Sequence, residues 1–361
     1  MKRISLALVA IGAVALTGCG TAQQAGGGQP ATAMTGPAPL AAALVTPAFG
    51  WVLTPEQLLI SHDGGATLTP VDVPVPAGEV RAAHFTDART GVVAAAAGDS
   101  ITVATTRNGG RTWRTATMHG PAVTPTGYSS LSVSFGNEAQ GAIVARAATS
   151  QAFSLGTIFA TTDGGASWSA HPAPEAGVVR VQPDGRIWLA GATLSSSTDQ
   201  GRSWTPSALA LAGPVAAAAV SPPIDGTVPV TVLSGERTEV QLLTTVDGGQ
   251  TWGQPARLPV RGRTGPGVRL AVAGTTAGHV VYDTVAGHAY RRDGLDTRPS
   301  GLPDGVQTVT FAPDGKLGWA LAGYGTCGTG KRDCRYHHRL LTTTDGGATW
   351  TTTATWTRQV P

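Results

Sequence analysis

A short motif recurs along this chain, and its repetition restricts the possible fold more than any other feature of the sequence. Thr161–Trp168 reads TTDGGASW, and the shared pattern is Ser/Thr, any residue, Asp, any residue, Gly, any residue, Ser/Thr and Trp. Because one catalytic residue is not needed six times in one chain, the repetition indicates repeated architecture. The acidic or amide position of the six copies is occupied by Asp63, Asn108, Asp163, Asp199, Asp247 and Asp345.

The spacing of the copies predicts the number of structural units. Successive gaps are 45, 55, 36, 48 and 98 residues, and the last gap is about twice the others. Near its middle lies YRRDGLDTR (290–298), with Asp293 and Thr297 at the Asp and hydroxyl positions. Counting Asp293 as a seventh, decayed copy gives a mean spacing of about 47 residues. This length suits the four-stranded blade of a β-propeller.

The segments between the motifs consist of strand-sized runs. β-branched and small apolar residues alternate there with turn residues, and 49 glycines and 25 prolines fit many tight turns. The sequence therefore predicts an all-β protein, with a single seven-bladed propeller over residues 41–361. Weak patterning at 205–215 and 291–305 predicts that blades four and six are short or irregular. The last unit has four clear runs, at 306–312, 317–323, 339–344 and 350–356.

The residue types of the motif suit a self-capped turn between the third and fourth strands of each blade. Asp or Asn can accept hydrogen bonds from the backbone N–H groups that follow it, and Gly permits positive φ. A calcium site is the alternative, but one carboxylate per loop supplies too few oxygen ligands. We therefore predict a structural motif, with no metal or other cofactor. The conserved-type aromatic position, which can pack between strands, is filled by Trp113, Trp168, Trp204, Trp252 and Trp350.

The motif resembles the Asp-box, or BNR repeat, of sialidases, sortilin-type receptors, some endo-glucanases and the photosystem II stability/assembly factor family. Phe311–Ala320 followed by LLTTTDGGATW is most similar to the last of these. The resemblance covers most of residues 45–356. It implies a β-propeller whose Asp-boxes lie on the rim, away from the ligand-binding face. It does not imply one function, and nothing in the sequence indicates a phototroph.

The N-terminus has the features of an export signal. Met1-Lys2-Arg3 precedes a short uncharged apolar run, too short for a membrane span, that ends in LTGC at Cys19. This end resembles a bacterial lipobox, which implies that residues 1–18 are a signal peptide and that Cys19 is lipidated. We expect an exported protein anchored by lipid to the outer face of the bacterial cell membrane. A secretory signal with a chance cysteine is the alternative. The uncharged, Gly- and Pro-rich composition predicts a flexible tether over residues 19–40.

The two remaining cysteines enclose a basic segment. Cys327 and Cys334 are seven residues apart, and export would permit a disulfide between them. Free thiols, or a metal site that includes the neighbouring histidines, are the alternatives, although the spacing is not a standard zinc pattern. We predict a basic excursion between strands two and three of the last blade. It is a candidate contact site for an acidic partner or lipid headgroup, or else a solvated loop. Its candidate residues are Lys331, Arg332, Arg335, His337, His338 and Arg339.

Charge and motif content disfavour several functions. The chain has 25 basic and 22 acidic residues, and removal of Lys2 and Arg3 would leave 23 against 22, which argues against nucleic-acid binding. No nucleophile-elbow, phosphate-loop or zinc-protease motif occurs. A glycosidase needs two converging carboxylates, and most Asp residues are assigned to turns. The arginine triad and the Tyr–Glu pair that a sialidase resemblance would require are not evident.

These observations predict a monomeric, non-catalytic binding or scaffold module for an unknown protein or glycan partner. A sialidase-like or other glycoside hydrolase is the alternative. The two differ in one structural feature: a hydrolase would bring two or three carboxylates and an arginine cluster together at one end of the channel.

Overall fold

The computed structural model describes most of the chain from residue 31 to residue 360. All regular structure in this part of the chain is β-strand, as predicted. None of the described residues belongs to a helix long and apolar enough to span a membrane. The residues between 31 and 360 that fall outside the description are 121–126, 148–155, 192, 208, 210–214, 221–227, 235–238, 260–269, 276–277, 284–288, 294–295, 300, 304 and 327–333.

The strands form seven sheets, and within each sheet consecutive strands pair antiparallel in chain order. The first sheet contains β2 (Ala41–Leu44), β3 (Gly50–Leu53), β4 (Leu58–Ser61) and β5 (Thr69–Val71). The second contains β6 (Arg81–Phe85), β7 (Gly91–Ala97), β8 (Ser100–Thr106) and β9 (Arg114–His119). The third contains β10 (Tyr128–Phe135), β11 (Gly141–Ala147), β12 (Gly156–Thr161) and β13 (Ser169–Ala173).

The remaining four sheets repeat this pattern. The fourth contains β14 (Val178–Val181), β15 (Ile187–Ala190), β16 (Leu194–Ser197) and β17 (Thr205–Pro206). The fifth contains β18 (Val215–Val220), β19 (Val228–Ser234), β20 (Glu239–Thr245) and β21 (Ala256–Pro259). The sixth contains β22 (Leu270–Thr275), β23 (Gly278–Asp283), β24 (Ala289–Asp293) and β25 (Asp296–Pro299). The last contains β26 (Val306–Phe311), β27 (Gly318–Thr326), β28 (Cys334–Thr343) and β29 (Thr351–Val360).

A fifth strand completes the last sheet and joins the two ends of the folded region. Strand β1 (Thr32–Met34) lies parallel to β29, with Thr32 opposite Ala354 and Met34 opposite Trp356. These three residues fall inside the range 19–40 that the sequence assigned to a tether. The short run TAM has no alternating pattern of its own, so its pairing with a distant strand could not be predicted from it.

Each sheet contacts the next along the chain, and the last sheet contacts the first through β2, β26 and β27. We call the first strand of each sheet its inner strand, because these strands contact one another between neighbouring sheets. Examples are β6 with β10 and β10 with β14. The architecture is therefore all-β and propeller-like.

Hydroxyl groups satisfy the exposed edges of several inner strands. Ser132 and Ser134 on β10 accept hydrogen bonds from the backbone N–H groups of Val179 and Val181, each at 3.0 Å. In the same way, Thr310 on β26 accepts a bond of 2.7 Å from the N–H of Leu44 on β2. Since the inner strand is a sheet edge, its free N–H groups need such partners when they are buried.

The apolar core lies between neighbouring sheets. The largest cluster at the contact between the last and first sheets includes Val52, Leu59, Trp319, Leu340 and Trp356. Trp319 is 1% exposed, and its Nε1 donates a 3.0 Å hydrogen bond to the carbonyl of Gly64. A large buried indole with its polar atom satisfied fixes the relative position of these two sheets.

Candidate functional site

The turns that follow the third strands are held by the acidic residue of the repeated motif. In the third sheet, Asp163 Oδ1 accepts hydrogen bonds from the Ser167 N–H at 2.9 Å and from the Thr161 hydroxyl at 2.8 Å. Its Oδ2 accepts one from the Ser167 hydroxyl at 2.6 Å. Thr161 Oγ1 also accepts a 2.9 Å bond from the Gly165 N–H. Both oxygens of the carboxylate are therefore used within the turn.

The same arrangement recurs at the other copies. Asn108 preserves it: its Oδ1 accepts bonds from the Thr112 N–H and the Thr106 hydroxyl, both at 3.0 Å, and its Nδ2 donates to the Thr112 hydroxyl at 2.8 Å. The carboxylates that each accept a bond from the preceding hydroxyl and from a following N–H are Asp63, Asp199, Asp247 and Asp345.

Asp293, the predicted seventh copy, has a different position. It is the last residue of β24 and pairs with Asp296, the first residue of β25, where the other copies have their turn. Its side chain lies outside the described part of the structure. Residues 290–298 thus connect the third and fourth strands of the sixth sheet, as the sequence predicts, without the spacing of the other turns.

The hydrogen bonds keep the turn carboxylates ionised. The Ser167 hydroxyl and backbone N–H lower the pKa of Asp163 to about 2. Burial raises the pKa of Asp63, but bonds from Thr67 and Ser61 outweigh it and the pKa lies at about 2. Hydrogen bonds also lower the pKa values of Asp199 and Asp247. A carboxyl group with so low a pKa cannot serve as a general acid at neutral pH.

The motif tryptophans complete the turns. Nε1 of Trp168, Trp204 and Trp350 donates to the carbonyl of the second glycine of the same turn, at 3.2, 3.2 and 3.1 Å. Trp168 also meets Phe135 edge to face, with ring centroids 6.0 Å apart. Trp113 and Trp252 lie at the same position, but their buried Nε1 atoms have no partner in the described structure.

The second glycine of each turn lies against the preceding sheet. A Cβ built on Gly165 would be 2.8 Å from Cγ2 of Thr105 in the second sheet, and one built on Gly201 would be 2.8 Å from Cγ2 of Ile158 in the third. One built on Gly65 would be 2.9 Å from the Trp319 ring in the last sheet. These glycines have positive φ as well. The turn therefore needs glycine both for its conformation and for contact between sheets.

The turns define two ends of the molecule. The N–H of the first turn glycine donates to the loop between strands one and two of the same sheet: Gly64 to Ala48, Gly109 to Arg89 and Gly164 to Ala139, each at 2.8 Å. Both kinds of loop therefore lie at one end, which we call the turn end. Loops between strands two and three lie at the opposite end, which we call the hairpin end.

The last sheet extends beyond the others at the hairpin end. β27, β28 and β29 have 9, 10 and 10 residues. The basic residues Arg335, His337, His338 and Arg339 belong to β28 and not to a loop, in contrast to the predicted excursion over residues 327–339. The reason is that β28 pairs on both sides, with β27 and β29, over its whole length.

Part of the predicted basic segment lies outside the described residues. Cys327, Lys331 and Arg332 are among residues 327–333 and are not described. Cys334 begins β28 and is disulfide-bonded. Its pairing with Cys327 therefore remains a prediction.

One face of the extension groups aromatic and cationic side chains. Strand register places Tyr324, His337 and Thr357 side by side. The Tyr324 and His337 rings stack at 5.0 Å, and the Arg339 guanidinium lies 5.3 Å from the Tyr324 ring centroid. Arg335, two residues from His337, belongs to the same face and is exposed. We call Tyr324, Arg335, His337 and Arg339 the hairpin surface.

His338 is not part of the hairpin surface. It alternates with His337 and points to the other face of β28, opposite Gly323. It is partly buried, and burial followed by the nearby His337 lowers its pKa. Tyr336, on the same face as His338, is 40% exposed. Arg358 is paired with Glu79 at 3.8 Å, and both side chains are exposed.

The inner strands do not contain the carboxylates that the hydrolase alternative needs. Across the seven inner strands, no residue is Asp or Glu, and the ionisable side chains are Arg81, His84 and Arg180. In addition, no three His, Cys, Asp or Glu residues of the described structure form a group that could hold a metal ion. The predicted discriminating feature, converging carboxylates beside arginines, is therefore not found on these strands.

Comparison with known proteins yields structural similarity without sequence similarity. No protein-family model matches the chain, and no curated protein matches it. The uncharacterized protein lmo1340 from Listeria monocytogenes EGD-e is 7% identical, with 90% of this chain and 97% of that chain covered and a TM-score of 0.52. This likeness concerns the fold alone.

Two enzymes are also among the similar structures. The GH74 xyloglucanase from Xanthomonas campestris is 15% identical, with 75% of this chain covered and a TM-score of 0.49. The chain spans 44% of that xyloglucanase. The Hadza microbial sialidase Hz136 is 13% identical, with 84% of this chain and 65% of that chain covered and a TM-score of 0.38.

Proposed function

We propose that the protein is an exported, lipid-anchored lipoprotein whose seven-bladed β-propeller binds an acidic partner without catalysing a reaction. The observation that carries the binding role is the hairpin surface. It presents two arginines and two aromatic rings on a sheet extension that no other sheet of the described structure has.

The finer description of the fold rests on the sheet arrangement. Seven consecutive sheets, with contact between the last and the first, support seven blades. The hydrogen-bond pattern shared by the motif turns supports their assignment as Asp-boxes of the BNR type. The LTGC sequence at Cys19 after a short apolar run supports lipid attachment and a location at the outer face of the cell membrane.

The hairpin surface has the chemistry of a recognition site for carboxylate-bearing partners. Arginine donors and tyrosine rings are enriched at protein interfaces. The stacking of Tyr324 on His337 and the position of Arg339 over Tyr324 hold the side chains in place before a partner binds. Such preorganisation reduces the conformational entropy lost on binding. An acidic protein surface is the partner that this chemistry favours, and an acidic glycan is the second possibility for the same groups.

The turn motifs and inner strands support a non-catalytic role. Each motif carboxylate for which the side chain is described is saturated by bonds inside its own turn. Inner strands supply no carboxylate that could converge with a second one. A glycoside hydrolase requires such a pair, so the hydrolase alternative has no described pair of residues to carry it.

The test compares two double variants of the full-length lipidated protein. R335A/R339A removes two charges from the hairpin surface, and R111A/R202A removes two exposed charges from the turn end as a matched control. After crosslinking in native membranes, we expect wild type and control to recover one specific acidic protein and R335A/R339A to recover at least about tenfold less. Equal recovery with R335A/R339A would exclude the hairpin surface. Turnover in a glycan screen, with no protein recovered, would favour the hydrolase.

A further inference from the structure

The inner strands contain a cluster of nitrogen donors that the protein leaves without a negative charge. Arg180 lies on β14, and its Nε donates to the carbonyl of Val220 at 3.4 Å, a long bond. The ion pair of the described residues joins Arg358 and Glu79, so Arg180 has no carboxylate partner among them. A partly buried guanidinium ordinarily has an anionic partner, because burial of an unpaired charge is costly.

His84 lies close to Arg180. It is on β6 and donates a hydrogen bond to the backbone carbonyl of Phe135. Burial, followed by the positive charge of Arg180, lowers the pKa of His84 to about 3. The imidazole is therefore neutral at neutral pH, and the cluster carries a single positive charge, that of Arg180.

Gln182 is an independent sign of an incomplete site. Its side chain is 4% exposed, and neither Oε1 nor Nε2 has a hydrogen-bond partner. It follows directly after β14, and residues two apart in an extended segment share a face, so it lies on the face of Arg180. A buried amide without partners costs about 1–3 kcal/mol. A ligand held by Arg180 could accept a hydrogen bond from this amide.

The position of these groups in their strands locates the cluster. His84 is next to the end of β6, and Arg180 is next to the end of β14. Their backbone acceptors, Phe135 and Val220, are the last residues of β10 and β18. These strand ends lead into the loops of the turn end, so the cluster lies at that end, away from the hairpin surface.

We propose that the turn-end edge of the inner strands binds a small, singly charged oxyanion, with Arg180 as its cationic anchor and Gln182 as an amide donor. One positive charge matches one negative charge, and a guanidinium matches planar oxyanions geometrically. His84 and Arg180 are both only partly exposed, which favours a compact ligand over a macromolecule. This inference does not depend on the proposed function of the hairpin surface.

The test uses nitrate as the probe, because it stays ionised at every pH used. The full chain is labelled in its eight histidine rings, and the His84 signal is identified by its loss in H84Q. Its NMR position is followed from pH 7 to pH 4, with nitrate or with the bulky monoanion camphorsulfonate at equal ionic strength. An anion beside the imidazole stabilises the protonated form and should raise its pKa by about one unit or more.

The expected result is that the His84 signal shifts toward its protonated position below pH 5 in nitrate and stays fixed in camphorsulfonate. R114Q, which removes an exposed arginine on β9, should behave like wild type, and R180Q should lose the nitrate effect. An identical His84 signal in the two salts would overturn the proposal. That comparison needs only the wild-type protein, so it stands even where R180Q fails to fold.

Discussion

Asp163 shows what the repeated motif does at the scale of one residue. Its two oxygens accept three bonds from Thr161 and Ser167, and Asn108 makes equivalent bonds with an amide. We therefore expect D163A to lower the free energy of unfolding by about 1–2 kcal/mol and D163N by less than about 0.5 kcal/mol at pH 7. Urea unfolding measures both. Equal losses would mean that the charge, and not the acceptor geometry, stabilises the turn.

Gly165 permits a second test at the residue scale. Its φ is +84°, and a Cβ there would be 2.8 Å from Thr105 in the preceding sheet. Gly98 has a φ of +61° with nothing within 4 Å, so it is a matched control. We expect G165A to cost about 2–4 kcal/mol and G98A about 1 kcal/mol. T105S removes the clashing methyl group and should recover part of the loss in the G165A background. If G165A and G98A cost the same, the inter-sheet contact is not important.

At the scale of the element, the last sheet carries the contact with the first. Trp319 fills that contact and bonds to Gly64. Because a large cavity would open between two sheets, W319A should lower the free energy of unfolding by about 3–5 kcal/mol. W319F retains most of the volume but loses the hydrogen bond, and should cost about 1–2 kcal/mol. Thermal unfolding of both variants is the measurement. A loss under about 1 kcal/mol for W319A would show that this contact does not hold the sheets together.

Elements differ in how well the sequence predicts them. Turn chemistry is local, so the Asp-Gly-Gly copies predict the third and fourth strands of six sheets. The extension of β27 and β28 depends on pairing with β29 along 10 residues, and β1 depends on a strand more than 300 positions away. Such pairing is set by tertiary contacts. Likewise, the cluster of Arg180 and His84 joins residues of two sheets, and neither residue belongs to a sequence motif.

At the scale of the whole molecule, the turn carboxylates make stability depend on acid pH. Their pKa values lie below the unfolded value of about 3.9, at about 2 for Asp63, Asp163 and Asp345. Their contribution is therefore complete above pH 4 and is lost as pH falls toward 2. Each contribution is small because these groups are largely exposed.

We expect the urea midpoint to be constant from pH 7 to pH 5 and to fall between pH 4 and pH 2. In D163N/D345N this fall should be shallower, because two of the depressed carboxyl groups are gone. A midpoint that stays unchanged down to pH 2.5 would contradict the assignment of ionised, hydrogen-bonded turn carboxylates.

The parallel pairing of β1 with β29 gives the molecule a practical polarity. Thr32 lies beside Ala354 near the turn end, and both strands run toward the hairpin end, where β29 finishes at Val360. A fluorescent protein or affinity handle fused after residue 361 would therefore crowd Tyr324 and Arg335. One inserted before residue 31 would leave them clear. Imaging and capture experiments on this protein should carry their label on the N-terminal side.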